Sequence, residues 1–266
     1  MNDISIEKKT KYITFVHHKG GTGKTTACIN ISGYLTKTGK KVLLVDLDPQ
    51  GNATSGLGVD KKSLESSMYD VMIGTIEMKD IILETDAGIL LAPATLDLVG
   101  AEAYMYGRQD RATIVKRALE KVESYYDYIM IDTPSGPRLF GVNGIVAADY
   151  VIVSLDLGVF ALEGLEDLHL VFDDIKESFN VEINAKMTII TKFTKASFFS
   201  KIKARQNPVK EIEKEAKKIF EKVVLIPYST EIYESQLKGI PISHYAPKCK
   251  AGLSYENIAN EIVSIT

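Results

Sequence analysis

The chain has 266 residues, 45% of them apolar and 25% charged, and a formal net charge of −3. It can bury a substantial core, and its balance excludes a globally basic nucleic-acid coat, so contact with DNA or an anionic membrane has to come from a local patch. Its two cysteines, Cys28 and Cys249, exclude a disulfide framework and fit a reducing cytoplasm, and no apolar run reaches the ~20 residues of a membrane span.

Residues 1–10 are polar and charged, without an apolar signal core, and are expected to be a flexible start to one domain spanning 1–266. The first strand is predicted at 12–17. It runs into His18-Lys19-Gly20-Gly21-Thr22-Gly23-Lys24-Thr25-Thr26 and then into a helix at 24–38, which Gly39 ends. Strand, glycine loop and helix in that order make a phosphate cradle: glycines let backbone N–H groups turn inward and the helix N-terminus adds partial positive charge. Gly20, Gly21, Thr22, Gly23, Lys24, Thr25 and Thr26 are the expected nucleotide contacts. Lys24 reaches the β- and γ-phosphates and the Thr25 hydroxyl is placed to ligate Mg²⁺. His17 and His18 adjoin the loop, where contact with nucleotide or partner and a conformational role are both open, and neither is assigned a catalytic role; Cys28 is expected as a small buried residue on the helix.

A second strand at 41–45 leads into Asp46-Leu47-Asp48-Pro49-Gln50-Gly51. Two carboxylates at a strand's C-terminal edge, followed by Pro and Gly, suit a loop that handles metal and water. Residues 52–88 are less periodic and are expected as short helices and loops beside the nucleotide site. A strand at 89–92 and helices at 97–105 and 110–124 precede a strand at 127–132, Tyr128-Ile129-Met130-Ile131-Asp132, an apolar run ending in an Asp of the kind that binds Mg²⁺. Strands at 149–155, 186–191 and 223–226 alternate with helices at 160–179, 208–221 and 251–264. The alternation predicts an α/β fold: a doubly wound, mostly parallel sheet with helices on both faces and ligands at the C-terminal strand edges.

The loop departs from the ordinary Walker A pattern in having a lysine at position 19. In this it resembles the deviant Walker A of the ParA/MinD group of ATPases, Lys-Gly-Gly-x-Gly-Lys-Thr. Val42 to Gly58, VLLVDLDPQGNATSGLG, resembles the ParA form of the second motif, and Leu91–Glu102, Phe160–Gly164 and Tyr245–Tyr255 extend the likeness across nearly the whole chain. The resemblance implies that Lys19 crosses a dimer interface to the partner's nucleotide, that Asp48 orients or deprotonates the attacking water, and that Asp46, with Thr25 and Asp132, supports the Mg²⁺ shell. It further implies ATP as substrate, with base contacts near Pro227, a homodimer in the ATP state, nonspecific DNA and a ParB-like centromere-binding protein as partners, and a nucleoid-associated location. Thr133-Pro134-Ser135-Gly136-Pro137 departs from the family's Asp-x-Pro-Pro-Ser, and Ile226-Pro227-Tyr228-Ser229 from its Ile-Pro-Arg-Asn.

Residues 186–222 hold 11 Lys and Arg against four Glu, a local excess of seven positive charges in a chain of net −3. Lys195, Lys201, Lys203 and Arg205, with Lys248 and Lys250 further on, are the candidate DNA contacts. A membrane role would need a basic amphipathic terminal helix. The run from Leu253 to Thr266 carries Glu256 and Glu261 but no Lys or Arg, and Leu253, Ile258, Ile262 and Ile265 are expected to pack on the sheet. Positioning of a protein assembly, and a nonhydrolysing regulator, are the other readings these motifs admit.

Overall fold

A computed structural model of the chain describes residues 10–17, 20–136, 138–155, 161–193 and 208–265. Among these, one eight-stranded sheet is built from β1 (Lys11–Val16), β2 (Val42–Asp46), β3 (Leu83–Glu84), β4 (Leu90–Ala92), β5 (Tyr128–Asp132), β6 (Tyr150–Leu155), β7 (Met187–Phe193) and β8 (Lys222–Pro227). The spatial order is β3-β4-β2-β5-β1-β6-β7-β8, and every pairing is parallel except β3 with β4. β1 lies at the centre, where the winding reverses, and in open α/β sheets the ligand crevice opens at that point. Register brings Asp46 opposite Asp132 at the ends of β2 and β5.

The helices are α1 (Lys24–Lys37), α2 (Asn52–Gly56), α3 (Met68–Ile73), α4 (Met78–Ile81), α5 (Leu98–Met105), α6 (Ile114–Leu119), α7 (Leu139–Ala147), α8 (Ala161–Phe179), α9 (Pro208–Ile219), α10 (Thr230–Leu237), α11 (Ile242–Tyr245) and α12 (Lys250–Ile265). The strands' period of two sorts their side chains between two faces. Ile13, Phe15, Val42, Leu44 and Met130 join α1, α11 and α12 in one apolar layer. Leu43, Val45, Ile129 and Ile131 face α3, α5 and α6 in a second layer, and Val151, Val153 and Ile190 face α8 and α9 in a third cluster. Both faces are therefore covered, which explains strands that are mostly apolar on both sides, with Thr14, Ser154, Thr188 and Thr191 among the buried polar exceptions.

Several elements differ from the expectation: β3 is a strand where only short helices and loops were expected, and α11 was not expected. The helix expected at 110–124 is shorter, Ile114–Leu119, followed by a 3-10 turn at Glu123–Tyr125. α7 was not expected, because Gly141 and Gly144 weaken its helical signal. Gly144 is there for close packing: a Cβ on it would stand 2.6 Å from Thr133 Cγ2 and 3.1 Å from Thr14 Cγ2. α10 was also not expected. On α12, Ile258 and Ile262 pack inward as expected, but Leu253 and Ile265 are 45% and 43% exposed, because their positions fall on the helix's outer side.

The segment after α2 and the segment after α10 meet backbone to backbone. Gly58 and Gly239 both have left-handed φ, 81° and 67°, and a Cβ on Gly239 would stand 2.4 Å from Gly58 Cα. Gly239→Ala is expected to destabilise the fold by about 2–4 kcal/mol, since it adds backbone strain to a clash with main chain that cannot rotate away. A denaturation midpoint equal to the parent's would refute the importance of this contact.

Candidate functional site

The loop between β1 and α1 is shaped by Gly21 and Gly23, at φ of 82° and 86°. It is held from beneath: Ser154 Oγ on β6 and Thr191 Oγ1 on β7 both donate to the Thr22 carbonyl, at 2.7 and 2.8 Å. Gly23 is needed where Thr191 comes close, since a Cβ would lie 3.1 Å from its methyl group. Around the loop opens a cleft of about 630 Å³, lined by residues 20–26 together with Asp48, Gln50, Asn52, Ser135 and Gln236. That volume suits a ligand of nucleotide size.

At the floor, Lys24 is 6% exposed and Asp132 fully buried. Thr25 Oγ1 donates to Asp132 Oδ2 at 2.7 Å, while Asp132 Oδ1 is buried without a hydrogen-bond partner. An unpartnered carboxylate oxygen beside a threonine hydroxyl is a donor set that fits a hard divalent cation. Asp46 is differently employed. Its Oδ1 accepts from the Asp48 N–H (3.1 Å), and its Oδ2 from both the N–H and the hydroxyl of Thr54 (2.9 and 2.8 Å). Thr25 and Asp132 are thus the residues of the expected metal set with a carboxylate oxygen still to satisfy.

Burial pushes both buried carboxyls above the ordinary carboxylate range. Lys24 opposes the shift at Asp132 and Asp46 adds to it; the Thr54 and Asp48 donors oppose it at Asp46. A carboxyl raised on folding binds its proton more tightly in the native state. Its contribution to stability is therefore complete below the unfolded value, about 4, and is lost as pH rises through the raised native value toward neutrality. Asp132→Asn leaves one buried carboxylate to one buried ammonium, and is expected to raise the nucleotide-free melting temperature at pH 8 by roughly 2–6 °C, with little change at pH 5. Melting curves of variant and parent at both pH values check this, and a lower melting temperature at pH 8 would contradict it.

Asp48 lines the cleft on a tight turn: Gln50 N–H donates to its Oδ1 at 2.9 Å and Gly51 N–H to its carbonyl at 2.8 Å. Lys61 Nζ secures the same turn through the Gln50 carbonyl at 2.6 Å. At the other end of the loop lies a second cavity of about 230 Å³, with Pro227, Tyr228, Ile232, Tyr233 and Tyr255 in its wall. Gly23, Thr26 and Gln236 line both spaces, and Gln236 Nε2 donates to Thr26 Oγ1 at 2.9 Å at their junction.

The structure thus brings Gly20–Thr26 and Asp48 together in one cleft, with Asp132 beneath its floor and Pro227 in the adjoining cavity. Lys19, His18, Lys195, Lys201, Lys203 and Arg205 lie outside the described residues. Lys248 and Lys250 are exposed near the start of α12. Much of the described positive excess is ion-paired: Lys217 with Glu213 and Lys218 with Glu215, both at 2.6 Å, Lys186 with Glu221, and Lys222 with Glu261. Cys28 is buried and free. No helix among the described residues is long and apolar enough to cross a membrane. Sequence reasoning missed Ser154, Thr191, Thr54 and Gln236; the available signal was a hydroxyl inside each of two apolar strands.

An AAA-domain family matches residues 10–189. The sporulation initiation inhibitor protein Soj of Bacillus subtilis is 35% identical over 96% of this chain and 98% of its own length. The chromosome-partitioning ATPase Soj of Treponema pallidum is 36% identical over 96% and 97%. The structure of cobyrinic acid a,c-diamide synthase from Mycobacterium smegmatis, with bound ATP analog and magnesium, matches with a TM-score of 0.81 at 29% identity, covering 96% of this chain and 94% of that one.

Proposed function

The chain belongs to the ParA/MinD-type ATPases, and from that premise we propose that it hydrolyses ATP to drive DNA partitioning. The observation that carries the reading is the cleft itself: a glycine loop with Lys24 at its base, the Thr25–Asp132 pair, and Asp48 on a fixed turn across the opening. The residues at 20–26 bind the triphosphate, Lys24 neutralises its β- and γ-oxygens, and Pro227 and its neighbours take the base. Thr25 and Asp132 would hold Mg²⁺, which would supply charge neutralisation at the phosphates. Asp48 orients the attacking water and takes its proton. Fixed positive groups around the γ-phosphate contribute most of the rate.

The family likeness and the relatives' names support the wider cycle. ATP pairs two copies of the chain, each placing its Lys19 on the nucleotide of the other; the pair coats DNA without sequence preference; and a ParB-like partner stimulates slow hydrolysis to release it. The test is DNA binding with ATP, with ADP and without nucleotide, at several salt concentrations. Binding that requires ATP, weakens steeply with salt, and disappears together with dimerisation in Lys19→Ala is the expected result. Binding indifferent to nucleotide, or a Lys19→Ala protein that dimerises normally with ATP, would overturn it.

A further inference from the structure

The carboxylate of Asp46 and the hydroxyl of Thr54 are both fully buried and occupy the interval between the sheet and the Asp48 turn. Thr54 Oγ1 donates to Asp46 Oδ2 at 2.8 Å and accepts from the Ala94 N–H at 3.0 Å, so both its hydrogen-bonding capacities are in use and its rotamer is fixed. Asp46 in turn receives the Thr54 N–H on Oδ2 and the Asp48 N–H on Oδ1. The turn between them closes on itself through Gly51 N–H to the Asp48 carbonyl. Its two ends are thus joined to one carboxylate, and through Thr54 to the segment following β4.

We propose that Thr54 is a positioning residue for ATP hydrolysis. Through Asp46 it holds the backbone of Asp48 at the distance from the phosphate loop that hydrolysis needs, and Asp46 acts as the anchor of this turn, not as a ligand of the metal. The proposal rests on the reading of Asp48 as the residue that directs water. A valine at position 54 keeps the volume of threonine, but leaves an Asp46 oxygen one donor short and the Ala94 N–H buried without an acceptor. The strand end and α2 then share only the backbone N–H of residue 54, and the tie to the segment after β4 is lost, so the turn is held less firmly. Residues 20–26 and the cavity at Pro227, assigned above to the nucleotide, are not altered by the substitution.

The test compares Thr54→Val, Thr54→Ser, Asp46→Asn and Asp48→Ala in the full chain, with Mg·ATP affinity and single-turnover hydrolysis as separate readouts. In Thr54→Val the hydrolysis rate is expected to fall about 50-fold while affinity stays within about threefold, the split that marks loss of an interaction serving the chemical step. Thr54→Ser, which restores the hydroxyl, is expected to recover the rate to within about threefold of the parent. Asp46→Asn is expected to behave as Thr54→Val does, with the Mg²⁺ midpoint unmoved, and it decides alone should Thr54→Val not fold. Near-parental turnover in Thr54→Val, affinity falling in step with rate, or a Mg²⁺ midpoint shifted about tenfold in Asp46→Asn would overturn the proposal. Full turnover by Asp48→Ala would instead discard the reading of Asp48 on which it stands.

Discussion

Lys24→Ala is expected to weaken ATP binding by about 10²–10³-fold, the equivalent of the roughly 3–4 kcal/mol that follows when one member of a buried charge-assisted contact is removed. The size of the effect comes from burial. Lys24 is 6% exposed at the first position of α1, so on the proposed reading its ammonium would meet the phosphates with little water to screen it. It is also the cation that opposes the upward push on the Asp132 carboxyl, so its loss leaves two buried carboxylates facing an anionic ligand. Titration of a fluorescent ATP analogue into variant and parent measures the loss. Affinity within threefold of the parent would show that the loop backbone alone binds the triphosphate.

Asp48→Ala is expected to reduce hydrolysis by roughly 10²–10⁴-fold, the usual contribution of a positioned general base, while ATP affinity changes little. The geometry separates the two effects. Asp48 lies across the cleft from the loop, and its turn is tied to Asp46, Gln50, Gly51 and Lys61, not to residues 20–26. The truncated protein should accumulate in its ATP-bound state. Rapid-quench measurement of bound ATP gives the rate directly, and turnover at the parental rate would remove Asp48 from the chemistry.

Much of this was legible in the residues because the phosphate loop is a local device. Glycines at fixed spacing, a lysine and a threonine after an apolar run specify strand, turn and helix within a few positions, and α1 ends at the glycine that marks its stop. The strands were legible because burial on both faces makes them largely apolar. What escaped depended on residues far apart in the chain. The hydroxyls of Ser154 and Thr191 reach Thr22 across more than 130 positions, and Gln236 meets Thr26 across 210. α7 was hidden because its glycines serve packing against Thr133 and Thr14, at the expense of helix propensity. The likeness to the ParA motif implies Asp46 as a support of the Mg²⁺ shell; its hydrogen bonds with Thr54, eight residues later, depend on the fold and are not legible in the motif.

The two hydroxyls under Thr22 have a consequence for how this protein fails. Because β6 and β7 suspend the loop, the free energy of folding and the free energy of ligand capture draw on the same bonds. Damage to the apolar layer behind those strands, at Val153 or Ile190 for instance, would register first as poorer occupancy of the cleft, well before the chain unfolds. Conversely, a saturating nucleotide would rescue such lesions, so that alleles scored as catalytic defects in dilute substrate would pass as healthy in a cell rich in ATP.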